Sequence, residues 1–361
     1  MRLRAGLRVL RRGPGEVQVG LDPRWAVRVD GLAPSEVEAL VALDRERELP
    51  AGPAGARRVG ALPDAVLPGL LALGVLDEGR ADPRAARAAV VCADAACLAG
   101  GGGGAAEVLT RREAAVVGVL GLGPTGLVVA STVAAAGVGT VVLDDPGPVR
   151  SGDVGPGAYR WADVGSPRVA AAARALADVR VDVRTTADRR PDVLVVVEHG
   201  AADPARAPVL LGAGVPHLSV VVREADALVG PFVVPGRTPC LRCLDLARAA
   251  DDPAWPVVAA QVVPPDPGLP LTDGLGLRRR AGPSAAGGDH APRTRPTAEE
   301  PLLLSGVAGT LAAAHVLAAV DGRRPPSWAA VVEVALPGLL GVARPVHPHT
   351  RCGCTGLPPT G

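Results

Sequence analysis

The chain has 361 residues, of which 48% are hydrophobic and 21% are charged, with a formal net charge of +1. This length predicts two domains, and this composition predicts a globular core. A charge so close to zero argues against a nucleic-acid partner. Because the sequence shows neither a signal-peptide pattern nor an apolar run of transmembrane length, we expect a soluble, cytoplasmic protein with no membrane partner.

Residues 1–80 have the pattern of a small α+β domain. Three strand-like runs precede a helix predicted over residues 33–43, and a second helical pattern covers residues 62–73. This arrangement resembles a winged-helix domain, in particular the peptide-clamp domains that bind leader peptides of ribosomally made natural products. A plain structural extension of the next domain remains the alternative. Residues 81–109, with five consecutive glycines at 100–104, predict a flexible linker.

A nucleotide-binding pattern occupies residues 116–145. After an apolar strand, Gly121, Gly123 and Gly126 follow in G-x-G-x-x-G spacing, and a helical pattern comes next. In this motif the glycines permit, in order, the tight turn, the approach of a phosphate and close packing of the helix. Asp144 ends the next strand, where a ribose hydroxyl is normally held. We predict a nucleotide-binding βαβ unit; a glycine-rich unit with an empty pocket is the alternative.

Strand and helix patterns alternate through the rest of the chain. Helices are predicted over residues 166–177, 205–212 and 302–320, and strands over 140–143, 179–185, 192–198, 217–222, 228–234 and 329–336. This alternation predicts an α/β domain over residues 110–361, with a Rossmann-like, doubly wound, mostly parallel sheet. Residues 262–300 interrupt the pattern with a stretch rich in Pro, Gly and Arg, which we interpret as a mobile insertion.

Two close pairs of cysteines predict a metal site. Cys240 and Cys243 have C-x-x-C spacing, and Cys352 and Cys354 have C-x-C spacing. In a cytosolic chain such pairs indicate metal binding before disulfides. Four thiolates form a closed tetrahedral site, which suits a structural zinc ion. Reduced thiols that are merely buried remain the alternative.

Together these features resemble the ThiF/HesA/MoeB family, the ubiquitin-activating-enzyme-like adenylyltransferases. The resemblance extends over roughly residues 110–354 and combines the glycine turn, the acid after the second strand and the C-x-x-C pair that follows the strand over 228–234. It implies a nucleotide fold that binds ATP with magnesium, carries a structural zinc and usually forms a homodimer. It also implies that the substrate is the C-terminal carboxylate of a peptide or small protein, which becomes adenylated.

Several positions depart from the family pattern. The family's Asn-Leu-x-Arg string, which contacts ATP, is missing. Arg150 and Arg160 are the candidate replacements, and Arg168 stands where the family has lysine. The family's magnesium-binding aspartate corresponds to Ala201, so Glu198 or Asp203 is the candidate substitute. If the site is active, the resemblance implies that Arg160, Arg168 and Asp203 are its catalytic residues.

Two functions remain open from the sequence. An active enzyme would bind ATP and activate a precursor peptide or a ubiquitin-like protein as an acyl-adenylate, in peptide natural-product or cofactor-sulfur biosynthesis. Alternatively, the fold is kept as a scaffold that has lost ATP chemistry and binds a leader peptide for a partner cyclodehydratase. By resemblance, degenerate family members accompany azole-forming cyclodehydratases. A nicotinamide oxidoreductase is disfavoured, because the two cysteine pairs have no role in such an enzyme.

Overall fold

The computed structural model describes residues 2–3, 7–23, 26–45, 69, 76–77, 105–180, 182–263 and 299–356. The chain divides into two compact units, Met1–Arg111 and Arg112–Gly361. Most of the second predicted helix, residues 81–104 of the predicted linker and residues 264–298 of the predicted insertion lie outside the described residues.

The N-terminal unit contains a small antiparallel sheet and a helix. Its first elements are β1 (Arg2–Leu3), β2 (Val9–Gly13), β3 (Glu16–Val19), β4 (Val27–Val29), α1 (Pro34–Arg45) and β5 (Leu76–Asp77). The sheet has the order β2-β3-β4, and β1 pairs separately with β5. Alternate residues of β3, Val17 and Val19, point into one apolar core together with Val37 and Leu40 of α1, as the two-residue period of a strand and the helical spacing require.

The C-terminal unit is built on a seven-stranded sheet. Its strands are β6 (Val116–Leu120), β7 (Thr140–Asp144), β8 (Val193–His199), β9 (His217–Val222), β10 (Asp226–Val233), β11 (Ala330–Ala335) and β12 (Gly341–Pro345). The helices from the unit boundary onward are α2 (Ala105–Ala114), α3 (Pro124–Ala135), α4 (Arg168–Val179), α5 (Arg206–Gly212), α6 (Leu241–Asp251), α7 (Trp255–Val262) and α8 (Leu302–Val320).

The sheet combines a parallel half with an antiparallel half. Its strand order is β12-β11-β10-β9-β8-β6-β7. Strands β7, β6, β8 and β9 run parallel to one another, whereas β10, β11 and β12 add an antiparallel extension. The predicted Rossmann-like α/β fold is therefore confirmed, and the parallel strands are the ones that carry the glycine turn.

Helices cover both faces of this sheet. A Cβ on Gly126 of α3 would lie 1.9 Å from the backbone of the preceding turn and 3.8 Å from Val119 of β6. The next residue of β6, Leu120, packs instead with Leu210 of α5. Because neighbouring residues of a strand point to opposite faces, α3 and α5 lie on opposite sides, as the doubly wound prediction requires.

Two details of the sheet differ from the sequence predictions. The strand predicted over residues 179–185 is not found at residues 179, 180 and 182–185, because α4 continues to Val179 and Arg184 makes an isolated bridge to Thr140. Val179 and Val183 follow the alternation of a strand in the sequence, but both lie outside any strand. Strand β12 was not predicted, since its five residues are all exposed and carry no apolar alternation.

Helix α8 is long and apolar enough to cross a membrane by length and composition alone. However, half of the apolar window is buried inside the fold. The helix packs against α3 and against strands β9, β10 and β11. This is the environment of a core helix, and it is consistent with a soluble protein.

His315 gives the fold a point of acid sensitivity. It lies in α8, neither of its ring nitrogens has a hydrogen-bond partner, and burial lowers its pKa to about 4. The pKa is lower in the folded chain than in the unfolded one, so protonation of this ring favours the unfolded chain. The stability that is present above the unfolded pKa is therefore lost as the pH falls. We expect the free energy of unfolding to decrease by up to about 3 kcal/mol between pH 7 and pH 4.

Urea denaturation at both pH values tests this expectation. His315→Leu should reduce the acid-dependent loss, and the share of His217, whose pKa burial also lowers to about 4, should remain. His347→Leu, at an exposed position, should retain the whole loss. A His315→Leu variant that loses as much stability on acidification as the wild type would contradict the assignment.

Candidate functional site

The glycine turn lies at the carboxyl end of β6, between β7 on one side and β8 on the other. Ligands of open α/β sheets bind at such a change of strand order. Gly121 has a φ of +87°, and its N–H donates to the main-chain oxygen of Asp144 at 2.9 Å. A Cβ on Gly121 would lie 2.3 Å from the carbonyl oxygen of Val197. The tight turn therefore requires glycine, as the motif predicts. Asp144 itself is half-buried at the end of β7.

Two side chains hold the turn from the β7 side. Asp145 Oδ2 accepts the N–H of Leu122 at 2.7 Å, and the hydroxyl of Tyr159 donates to the Leu122 oxygen at 2.7 Å. Burial raises the pKa of Tyr159 well above its usual value, so the hydroxyl stays protonated. The Arg168 guanidinium lies 3.2 Å from Asp145 and 2.7 Å from Asp153. This network fixes the turn through side chains of the chain itself.

A carboxylate from a distant part of the chain lies against the start of α3. Oε2 of Glu300 accepts the N–H of Thr125 at 2.8 Å and also the Thr125 hydroxyl, and Oε1 lies 2.9 Å from Nε2 of His199. Helix α3 has no acidic residue in its own first turn, so Glu300 supplies the negative charge that a helix N-terminus favours. A Cβ on Gly123 would lie 2.2 Å from Oε1 of Glu300.

The surroundings keep Glu300 ionised. Burial alone would raise its pKa, but the hydrogen bond and the charge of His199, together with the hydrogen bonds from Thr125, outweigh burial and lower the pKa below its usual value. The glycine that the motif provides for the approach of a phosphate, Gly123, is thus approached by an anionic side chain of the same protein.

The three predicted catalytic residues lie in different settings. Arg168 is bound to the two carboxylates described above. Arg160 is exposed, and its guanidinium lies 3.0 Å from Asp178. Asp203 is buried, its Oδ1 accepts the N–H of residue 205 at 2.9 Å, and its Oδ2 lies 3.6 Å from Arg206. Each of the three already has a partner of opposite charge within the chain.

The acids near the family's magnesium position contact a guanidinium. Nε of Arg206 lies 3.0 Å from Oε1 of Glu198 and 3.6 Å from Oδ2 of Asp203. Burial raises the pKa of Glu198 despite this contact, which favours its protonated form. Ala201 offers no ligand atom. Magnesium needs several oxygen ligands, and a guanidinium that contacts both acids opposes a second cation, so these residues do not fit magnesium.

The four predicted cysteines form one cluster. Their Sγ atoms all lie within 4.8 Å of one another. The Sγ–Sγ distances are 3.5 Å for Cys240 and Cys352, and 3.4 Å for Cys243 and Cys354. These distances exceed the roughly 2.05 Å of a disulfide. They approach the edge of about 3.8 Å that a tetrahedron of about 2.3 Å zinc–sulfur bonds would have, so the residues fit a structural zinc.

Burial disfavours the thiolate form of two of the four cysteines. Burial raises the pKa of Cys240, and it raises that of Cys354 to about 11. For Cys243 the effect of burial is outweighed by hydrogen bonds, first of all the one donated by the His349 N–H at 3.3 Å, and the pKa is lowered. A bound cation would stabilise the thiolates that burial disfavours. The ring of His349 accepts the N–H of Arg351 through Nδ1, so it acts as a loop histidine.

Comparison with known proteins defines the class of this fold. Residues 104–194, which contain the glycine turn, match the ThiF family. The resemblance to the ThiF/HesA/MoeB family is therefore confirmed over these residues, and the α/β fold described above is ThiF-like. A comparison with curated proteins gives no match.

Within that class, the chain is similar over its full length to Escherichia coli MccB. The structure of MccB with ATP has a TM-score of 0.64 at 15% identity and covers 98% of both chains. The microcin C7 biosynthetic enzyme MccB in complex with N-formylated MccA has a TM-score of 0.64 at 16% identity, over 98% of this chain and 99% of that one. PaaA has a TM-score of 0.59 at 12% identity, over 94% and 98%. At these identities the likeness shows the fold alone.

Sequence reasoning missed the residues that occupy the turn. Glu300 lies 175 positions after Thr125, at the end of a compositionally biased segment, so no local spacing indicates it. His199 directly follows the strand predicted over residues 192–198, and this position alone did not indicate a contact with Glu300. Asp145 was the better signal, because it forms an acidic doublet with Asp144 directly after β7.

Proposed function

We propose that this chain is a peptide-binding scaffold with the ThiF fold, which holds the leader peptide of a precursor for a partner cyclodehydratase and does not itself adenylate. The carboxylate of Glu300 at the glycine turn carries this proposal. A triphosphate at the turn would meet that negative charge at Gly123. The magnesium that accompanies it would meet acids that already contact Arg206.

The peptide-binding part of the proposal rests on the N-terminal unit. Strand β4 is an outer strand of the β2-β3-β4 sheet, and in the described part of the chain it pairs with β3 alone. An outer strand can add an extended peptide as a further strand through main-chain hydrogen bonds when its free edge is open. The full-length likeness to MccB, which was solved in complex with N-formylated MccA, supports a bound partner of this kind.

Hydrogen–deuterium exchange on the full chain tests the peptide site. When the precursor peptides encoded beside this gene are added, we expect the amides of Val27–Val29 to gain protection, because an added strand hydrogen-bonds the edge amides. A scrambled peptide of the same composition is the control and should leave exchange unchanged. Protection confined to residues 112–361, or binding of none of these peptides, would contradict the proposal.

ATP-dependent adenylation of a peptide or ubiquitin-like C-terminus is the second candidate. It is favoured by the intact geometry of the turn at Gly121 and Gly126, and by the likeness to MccB solved with ATP. This function would require Glu300 to leave the start of α3, with Arg160, Arg168 and Asp203 recruited to the nucleotide. A cytoplasmic location and a homodimer, which the composition and the family resemblance suggest, remain predictions.

A further inference from the structure

Three hydrogen-bond donors near the glycine turn contact a single carboxylate. The Thr125 N–H, the Thr125 hydroxyl and Nε2 of His199 all contact the carboxylate of Glu300. They come from two elements, α3 and the end of β8, on either side of the change in strand order. The Glu300 side chain is 2% exposed, whereas that of His199 is 30% exposed. The carboxylate thus closes a site whose donors suit an anion.

The segment that carries this carboxylate packs against three glycines. A Cβ on Gly123 would lie 2.2 Å from the carboxylate of Glu300, and a Cβ on Gly155 would lie 2.7 Å from Leu302. A Cβ on Gly152 would lie 3.2 Å from the side chain of Glu299. We call residues 299–302 the strap. A larger residue at Gly123 or Gly155 would require the side chain of Glu300 or Leu302 to shift, so the strap packs closely on these glycines as it stands.

We propose that Glu300 is an internal competitor for a latent anion site, formed by Thr125 and His199, whose ligand is the pyrophosphate group of a nucleotide or free pyrophosphate. This inference deepens the scaffold function and rests on it. While the strap is seated, its carboxylate uses every one of the converging donors, and an incoming phosphate meets a like charge. A ligand can bind only by displacing the strap. Its apparent affinity is therefore the intrinsic affinity of the open site multiplied by the fraction of molecules in which the strap is released.

A purely stabilising cap is the other role that Glu300 could have. A cap would stabilise α3 by satisfying its N-terminal amide and its dipole, and its removal would lower stability without creating a binding site. An internal competitor predicts in addition a gain of anion affinity when the carboxylate is removed. The two roles therefore differ in a measurement of ligand binding and not in a measurement of stability.

Calorimetric titration of the full-length protein with pyrophosphate and with ATP separates the two roles. Glu300→Ala should bind both ligands about tenfold or more tightly than the wild type. Glu300→Gln keeps the shape and removes the charge, so it should show a smaller gain in the same direction. Glu113→Gln changes an exposed acid before β6, at the end of that strand opposite the glycine turn, and should bind as the wild type does. Thermal unfolding of each variant verifies that it is folded.

The outcome decides the inference in every case. If folded Glu300→Ala and Glu300→Gln bind pyrophosphate and ATP no more tightly than the wild type, Glu300 is a cap and the inference is wrong. If Glu300→Ala does not fold, the comparison of Glu300→Gln with Glu113→Gln decides. Wild-type adenylation activity would overturn the scaffold function, but the internal competitor would still be judged by these differences in affinity.

Discussion

Replacing Cys240 with serine is expected to lower the free energy of unfolding by several kcal/mol and to remove bound zinc. The reason is that a structural zinc site contributes its binding energy directly to folding. Cys240 and Cys243 lie at the start of α6, whereas Cys352 and Cys354 lie near the far end of the chain. The metal would therefore join two segments that are remote in sequence. Elemental analysis should find about one zinc per wild-type chain.

The matched control is Cys92→Ser, because Cys92 belongs to neither of the two close pairs. This variant should keep the zinc content of the wild type. Metal-free wild-type protein that unfolds at the same temperature as zinc-loaded protein would contradict the structural role of the cluster.

Arg112→Met is expected to lower the free energy of unfolding by about 3–5 kcal/mol. Arg112 and Asp321 are both buried, with Nε–Oδ1 and Nη2–Oδ2 distances of 2.8 and 2.7 Å, and Nη1 donates to the oxygen of Ala136 at 3.0 Å. The substitution leaves the Asp321 carboxylate buried without its cation. The pair ties the end of α2 to the end of α8, so its loss would loosen the packing around α3.

Urea denaturation of matched variants measures this effect. Arg160→Ala removes one partner of an exposed ion pair with Asp178 and should cost less than about 1 kcal/mol. Adding Asp321→Asn to Arg112→Met should recover part of the loss, because the buried charge is then gone. The account would be wrong if Arg112→Met cost no more than Arg160→Ala.

The sequence predicted the glycine turn because all of its determinants are local. The spacing of Gly121, Gly123 and Gly126, the buried strand before them and the helix after them lie within a few residues. The cysteine cluster could be predicted for a related reason. Each pair is close in sequence, and the chemistry of four thiolates brings the two pairs together although more than a hundred residues separate them.

The contents of the site could not be predicted in the same way. Glu300 reaches Thr125 only because α8 packs on α3, and a tertiary contact of this kind leaves no periodic trace in the sequence. The acids proposed for magnesium, Glu198 and Asp203, could be listed from their position. Their contact with Arg206 depends on how the loop after β8 folds back, and that contact changes their chemistry.

Each of the three glycines has close neighbours of its own in this fold. Gly121 and Gly126 are required by the backbone of the turn and by the packing of α3, whatever the ligand. A Cβ on Gly123 would lie 2.2 Å from the carboxylate of Glu300, whose side chain would have to shift. A scaffold would therefore retain the same three glycines as an enzyme, and the motif alone does not distinguish the two.

ATP–pyrophosphate exchange by the wild-type protein tests the scaffold function most directly. The protein would be incubated with ATP, magnesium and labelled pyrophosphate, with and without the precursor peptides encoded beside the gene, and leader-peptide binding would be measured on the same preparation. We expect exchange no higher than in the blank without protein, together with saturable binding of the leader peptide. Exchange that depends on the peptide would contradict the account and establish the chain as an adenylating enzyme.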